Sequence, residues 1–181
     1  SIAHLIDASG HDLASGEGIG VYRYETFGSA EYQRFHHQYN RNFEKGKNWI
    51  LADFGKPGLE TVVPKVEHRL YQGNVIGLFR TEKQQEVTIT ALLTAQKESP
   101  RGAPRTLILR YYFNLEGKLR LLMLDWMDKE ATRIPEALWL SIGVNPRTAG
   151  TWRMQKIGSL LELDRTVAYG SRSIHGVQAL M

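Results

Sequence analysis

Histidines are the first residues in this chain with the chemistry to bind a metal or move a proton. There are six of them and no cysteine, which excludes a thiolate zinc site, a disulfide scaffold and a cysteine nucleophile. His36 and His37 are adjacent, and adjacent helical residues point about 100° apart, so the two rings cannot readily share one metal. We expect one of them to be packed and the other exposed. The other four share no spacing, so the sequence predicts no metal site and no cofactor in this chain: His4, His11, His68 and His175.

Carboxylates are the second group, because a glycosidase needs two of them about 5–10 Å apart. Asp125 and Asp128 are three residues apart near the end of a predicted strand, where they need not share a face. Asp125 falls on the same face as Leu121 and Met123, which favours a hydrogen-bonded structural acid. Three further acids, Glu25, Asp53 and Glu60, show no pairing.

Two short segments combine charge with a constrained backbone. In segment 53–58, Asp53 and Lys56 are interleaved with two glycines and a proline, which predicts an ordered loop that presents both charges. A local turn bond and a solvated ammonium are the open alternative. Arg172 and His175 lie three residues apart on a Gly-flanked segment, and both side chains can donate hydrogen bonds to a hydroxyl-rich ligand. The alternative here is a surface ion pair for Arg172 and a packed His175.

Strands must position most of these residues, because apolar side chains recur with a period of two from residue 61 onward. Segment 85–95 is the clearest case, with an apolar face opposite a threonine-rich one. Ser29 can cap the one convincing helix, at 30–39, which lies in a helical insertion near residues 29–45. We predict an all-β, mainly antiparallel sandwich of about ten strands with this short helical insertion. Further strands are predicted at 19–26, 62–71, 74–80, 105–113, 118–127, 137–144 and 152–157.

Segment 118–127 is apolar on both faces, which is typical of a central strand covered on both sides. It follows segment 105–113 through four residues that favour a hairpin turn. The core positions predicted on this strand are Leu119, Leu121, Leu122 and Leu124, and Trp126 is also predicted to be core.

Composition gives the broad class. The chain has 181 residues, 42% hydrophobic and 23% charged, with a net charge of +4. These values predict one soluble globular domain over residues 1–181. No apolar run is long enough to cross a bilayer, no signal segment is recognisable, and the basic residues are too scattered for a nucleic-acid binder. The sequence does not distinguish a secreted protein from a cytoplasmic one. Both ends look cut from a longer polypeptide, so we expect a fragment of a multidomain protein.

Several short sequence segments together resemble the central β-sandwich of glycoside hydrolase family 38 α-mannosidases. They are the opening segment 2–7, segment 124–129 with its Asp-Trp element, and the aromatic segment 134–140. Segments 24–27, 53–59 and 169–177 are similar to an uncharacterised group of proteins with a family-38-like catalytic domain. The resemblance covers nearly the whole chain.

This resemblance implies a large sandwich of galactose-mutarotase-like type, C-terminal to a catalytic domain of the same polypeptide. It places the nucleophile and a metal in that upstream domain, so we expect this chain to pack against it without being catalytic. The alternative is a self-sufficient sugar-binding protein or a mutarotase-like enzyme that uses His and Glu as acid and base. The residues predicted to reach carbohydrate or the active-site rim are Arg172, His175, Asp53, Lys56, Tyr24 and Glu25.

Overall fold

The computed structural model describes residues 1–39, 45, 58–62, 65–96, 102–145, 153–156, 159–162 and 179–180. Over these residues the chain is an all-β sandwich of mostly antiparallel strands with one short α-helix, which confirms the predicted fold class. No helix within the described ranges is both long enough and apolar enough to cross a membrane.

The elements follow the predicted alternation closely. There are three differences: the first strand begins at Ala14, the strand predicted at 62–71 begins at Arg69 after a 3-10 helix, and the short strands at Ser159–Glu162 and Ala179–Leu180 were not predicted. The predicted helical insertion is confirmed as far as Tyr39, and residues 40–44 lie outside the described residues. In chain order the elements are β1 (Ala14–Thr26), α1 (Ser29–Tyr39), the 3-10 helix (Leu59–Thr61), β2 (Arg69–Gln72), β3 (Asn74–Lys83), β4 (Glu86–Thr94), β5 (Thr106–Asn114), β6 (Leu119–Met127), β7 (Glu136–Val144), β8 (Arg153–Lys156), β9 (Ser159–Glu162) and β10 (Ala179–Leu180).

The chain divides into two compact units. The second consists of Ile2–Ile19 and Gly143–Met181, and it contains a small sheet of order β10-β8-β9. Within its N-terminal part, Asp12 organises the backbone by accepting hydrogen bonds from the N–H groups of Leu5 at 3.1 Å and Ala14 at 3.0 Å. The His4 ring lies 2.7 Å from the same carboxylate. Asp12 therefore ties together both sides of the first turn of the chain.

The first unit, Ser1 with Gly20–Ile142, contains the sandwich and its core. One sheet has the order β2-β1-β7 and the other the order β3-β4-β5-β6. The inner faces meet through β1 and β5, where the Tyr111 hydroxyl lies 3.5 Å from the carbonyl oxygen of Gly20. Alternating residues of these two strands are buried: Tyr22, Tyr24 and Thr26 on β1, and Leu107, Leu109 and Tyr111 on β5.

Strand β6 corrects two predictions. It forms the predicted hairpin with β5, but it pairs with no other strand in the described part of the chain and is therefore an edge strand. Leu121 is 48% exposed and Trp126 is 52% exposed, so neither is a core residue. Leu119, Leu122 and Leu124 are half-buried. Leu121 lies on the outer face of this sheet, which is apolar although no described element covers it. Trp126 pairs with buried Leu107 on the inner face, but it lies near the end of the edge strand and is exposed there.

Helix α1 begins after Gly28, whose backbone N–H donates to Glu31 at 3.0 Å. Its two adjacent histidines behave as predicted. His36 is buried and stacks on Tyr32 with ring centroids 6.4 Å apart, whereas His37 is exposed. The helix therefore packs the face that carries Tyr32 and His36 and leaves the face that carries His37 exposed to solvent.

Candidate functional site

Strand β1 separates its side chains cleanly between the core and the surface. Because successive residues of a strand point to opposite faces, Tyr22 and Tyr24 enter the core while Arg23 and Glu25 lie on the outer face of the sheet. The register with β2 places Glu25 opposite Leu70. The outer face of this sheet therefore carries a carboxylate at its central strand.

Glu25 binds two partners from distant parts of the chain. The indole N–H of Trp139 donates to one carboxylate oxygen at 2.7 Å, and the Nε2 atom of His68 lies 2.7 Å from the other. The Glu25 side chain is only 17% exposed, whereas the His68 side chain is 49% exposed. Because a carboxylate only accepts, Nε2 of His68 carries the proton in this hydrogen bond. Glu25 therefore fixes both rings at once.

Neighbouring side chains hold this arrangement in place. The Phe27 ring stacks on His68 with centroids 5.6 Å apart and planes 11° apart. Arg23 donates at 3.1 Å to the hydroxyl of Ser141 on the adjacent strand β7, which also carries Trp139. Trp139 is 50% exposed although its indole N–H is hydrogen-bonded to Glu25. We call the surface formed by Arg23, Glu25, His68, Leu70 and Trp139 the Trp139 face.

A second polar cluster lies on the buried side of β1, centred on Glu136. This carboxylate accepts hydrogen bonds from the Tyr24 hydroxyl at 2.5 Å and the Thr132 hydroxyl at 3.4 Å, and it pairs with the Lys129 ammonium. Burial, followed by the hydrogen bond and charge of Glu136, raises the pKa of Tyr24 far above its ordinary value. Tyr24 is therefore a neutral hydrogen-bond donor at any physiological pH.

A cavity of about 630 Å³ lies beside this cluster. Helix α1 forms one side of it and segment 132–136 forms the other. Phe27 contributes to the cavity wall as well as stacking on His68, so it lies between the cavity and the Trp139 face. The rest of the wall is mixed: Glu31, Tyr32, Arg34, Phe35, Gln38, Thr132, Ile134, Pro135 and Glu136.

The structure places two of the predicted site residues, and it does not bring them together. Glu25 lies on the Trp139 face, while Tyr24 is 1% exposed and faces the core. Four others lie outside the described residues: Asp53, Lys56, Arg172 and His175. Among described residues, no group of three or more His, Asp or Glu side chains could hold a metal ion.

Sequence reasoning missed His68 as a partner of Glu25, and it left the side on which Trp139 lies undecided. The two residues are 43 and 114 positions from Glu25, so no local spacing could reveal either contact. The available signal was indirect. Arg23 and Glu25 alternate with buried aromatic residues on β1, which indicates a polar outer face where long-range partners could be sought.

The described geometry defines a class: an all-β sandwich with an exposed tryptophan whose indole N–H donates to a mostly buried carboxylate on the central strand of one sheet. At the level of family, residues 1–121 match the model described as a domain of unknown function (DUF5054), so the chain belongs to that family. No curated protein matches the chain, and no solved structure matches it.

Proposed function

We propose that this chain is a carbohydrate-binding sandwich domain that serves a catalytic domain of the same polypeptide and binds sugar on its Trp139 face. One observation carries the proposal: the half-exposed Trp139 ring is held by its own N–H, which donates to Glu25 at 2.7 Å. A ring immobilised before binding loses little conformational entropy when a ligand packs on it. Sugars present C–H faces that pack on such rings and hydroxyls that bond to neighbouring polar groups.

The polar residues of the Trp139 face supply the second half of this recognition. Glu25 has acceptor lone pairs beyond the two that bind His68 and Trp139, and the half-exposed His68 ring presents its other nitrogen. Arg23 adds guanidinium donors one step along the strand. An aromatic platform beside fixed donors and acceptors is the composition of a binding surface for hydroxyl-rich molecules.

The same geometry supports binding over glycoside hydrolysis. Hydrolysis uses two carboxyl groups about 5–10 Å apart, and the Trp139 face contains a single carboxylate. The glycoside hydrolase parent, the upstream catalytic domain and the packing of this chain against it rest on the sequence resemblance to family 38. They are proposed on that basis alone.

A mutarotase-like enzyme is the second candidate, because His68 and Glu25 are in contact at 2.7 Å. Such chemistry needs an acid and a base on different atoms of the sugar. At this distance no sugar atom fits between the two groups, so they would act as one carboxylate-oriented base. Polarimetry of glucose and galactose anomers tests this candidate, and acceleration that disappears in His68→Ala would favour it.

Binding is tested by titrating α-manno-, β-gluco- and β-galacto-oligosaccharides into the 181-residue chain in a calorimeter. We expect one class to bind and Trp139→Ala to weaken binding by about tenfold, the loss expected for an aromatic stacking contact. Trp126→Ala is the matched control, because Trp126 is equally exposed but lies on the other sheet. Absence of binding to all three classes, or an equal loss in both variants, would refute the proposal.

A further inference from the structure

The cavity beside α1 has the size and lining of a site for a small molecule. Its volume of about 630 Å³ lies within the usual range for ligand pockets. Four apolar side chains form much of its wall: Phe27, Phe35, Ile134 and Pro135. Ile134 is buried and Phe35 is half exposed, so the apolar wall runs from the floor of the cavity to its mouth.

Three charged side chains line this cavity, and the two carboxylates, Glu31 and Glu136, already have hydrogen-bond partners in the protein. Glu136 accepts hydrogen bonds from Tyr24 and Thr132 and pairs with Lys129. Glu31 accepts the Gly28 N–H at 3.0 Å and lies in the first turn of α1, where the helix dipole favours a negative charge. Both carboxylates are therefore already stabilised by the protein.

Arg34 is the exception. It is an exposed residue of α1 that lines the cavity, and its guanidinium has no hydrogen-bond or ion-pair partner among the described residues. The charge left to be matched at the mouth of the cavity is thus positive. Guanidinium groups bind carboxylates through two parallel hydrogen bonds, a geometry that an ammonium cannot reproduce.

We propose that this cavity binds a small carboxylate with an apolar body, an aryl- or alkyl-carboxylate, with the body against Phe27 and Phe35 and the carboxylate on Arg34. The proposal does not rest on sugar binding at the Trp139 face, because it uses other charged groups and another ligand class. Gln38, exposed at the same mouth, offers an amide donor to the second carboxylate oxygen.

A cationic ligand is the competing occupant, since the aromatic rings of Phe27, Tyr32 and Phe35 can attract a cation. The arrangement of charges favours the anion. A cation would meet carboxylates that already have donors and would lie close to the unmatched Arg34. An amine analogue of the same shape therefore makes the sharpest comparison.

The experiment titrates phenylbutyrate, phenylbutanol and phenylbutylamine into the ¹⁵N-labelled chain and follows amide shifts by NMR. These probes share one apolar body and differ in the head group. We expect phenylbutyrate to bind about tenfold tighter than the other two, with shifts concentrated in residues 27–38 and 132–136. Equal or tighter binding of the amine, or shifts centred elsewhere, would overturn the proposal.

Two variants locate the contacts. Arg34→Gln should reduce phenylbutyrate affinity about tenfold, to the level of the alcohol, while leaving alcohol binding unchanged. Arg80→Gln is the matched control, because Arg80 is an exposed arginine on β3, where it pairs with Glu82 at 2.7 Å. Gln38→Trp should weaken all three probes by filling the mouth. Unchanged phenylbutyrate binding in Arg34→Gln would refute the role of the guanidinium.

Discussion

The two faces of the four-stranded sheet should respond very differently to the same substitution. Leu109 is 0% exposed on the inner face of β5, whereas Leu121 is 48% exposed on the outer face of β6. Truncating a fully buried leucine to alanine costs about 2–5 kcal/mol, because both transfer free energy and cavity formation contribute. We expect Leu109→Ala to lose an amount in this range.

Leu121→Ala should cost about 1.5 kcal/mol or less, half of the free energy of full burial. Full burial of a leucine side chain is worth about 1.5–3 kcal/mol, and roughly half of this side chain is already in water. No enclosed cavity forms at an open surface, so the free-energy cost of cavity formation is absent. The pair thus compares one chemical change in two environments of the same sheet.

Urea denaturation followed by far-ultraviolet circular dichroism measures both free energies of unfolding. The slope of the transition should be the same in both variants, so that differences in midpoint report stability alone. If Leu121→Ala destabilised the chain as much as Leu109→Ala, the outer face would be covered. The central-strand interpretation of segment 118–127 would then be correct.

Three further predictions concern single side chains. Tyr24→Phe removes a hydrogen bond to the Glu136 carboxylate and should cost about 1.5–3 kcal/mol in urea denaturation, a loss that should fall to about 0.5–1.5 kcal/mol in a Glu136→Gln background, where the acceptor is an uncharged amide oxygen. Gly20→Ala should destabilise more than Gly117→Ala: both glycines have positive φ, at 81° and 75°, but a core tyrosine hydroxyl occupies the space at Gly20 and nothing does at Gly117. An imidazole and two backbone N–H groups hold the pKa of Asp12 below its ordinary 3.8, so this stabilisation is present above about pH 4 and is lost as the pH falls through the folded-state pKa. Melting temperatures between about pH 2 and 6 should therefore fall less steeply in Asp12→Asn than in the wild type.

Strand positions could be predicted because alternation is a local property. In β4, Val87, Ile89 and Ala91 point to one face and threonines to the other, and the structure pairs these residues as the pattern requires. Strand β6 shows the limit of this reasoning. Its outer face is as apolar as its inner one, so the sequence could not distinguish a doubly covered strand from an edge strand with an exposed apolar face.

The candidate site was less accessible to prediction. Glu25 could be selected from its residue type, but its role depends on the register that brings β2 and β7 to either side of β1. Asp125 was interpreted as a structural acid, and its ion pair with Arg110 supports that interpretation. Tyr24 was predicted to reach carbohydrate or the active-site rim, but its hydroxyl donates a hydrogen bond to Glu136 inside the sandwich.

The bulge in β3 has a consequence for how the protein behaves at high concentration. Val75 pairs with Leu93 and Gly77 pairs with Leu92, so Ile76 is an extra residue that interrupts the row of backbone groups along this outer strand. An interrupted row is a poor template for a strand from another molecule, and the charged residues Arg80, Glu82 and Lys83 further along it also discourage such pairing. Removing Ile76 would restore an unbroken register and is the single deletion that we expect to make this protein prone to fibril-like association.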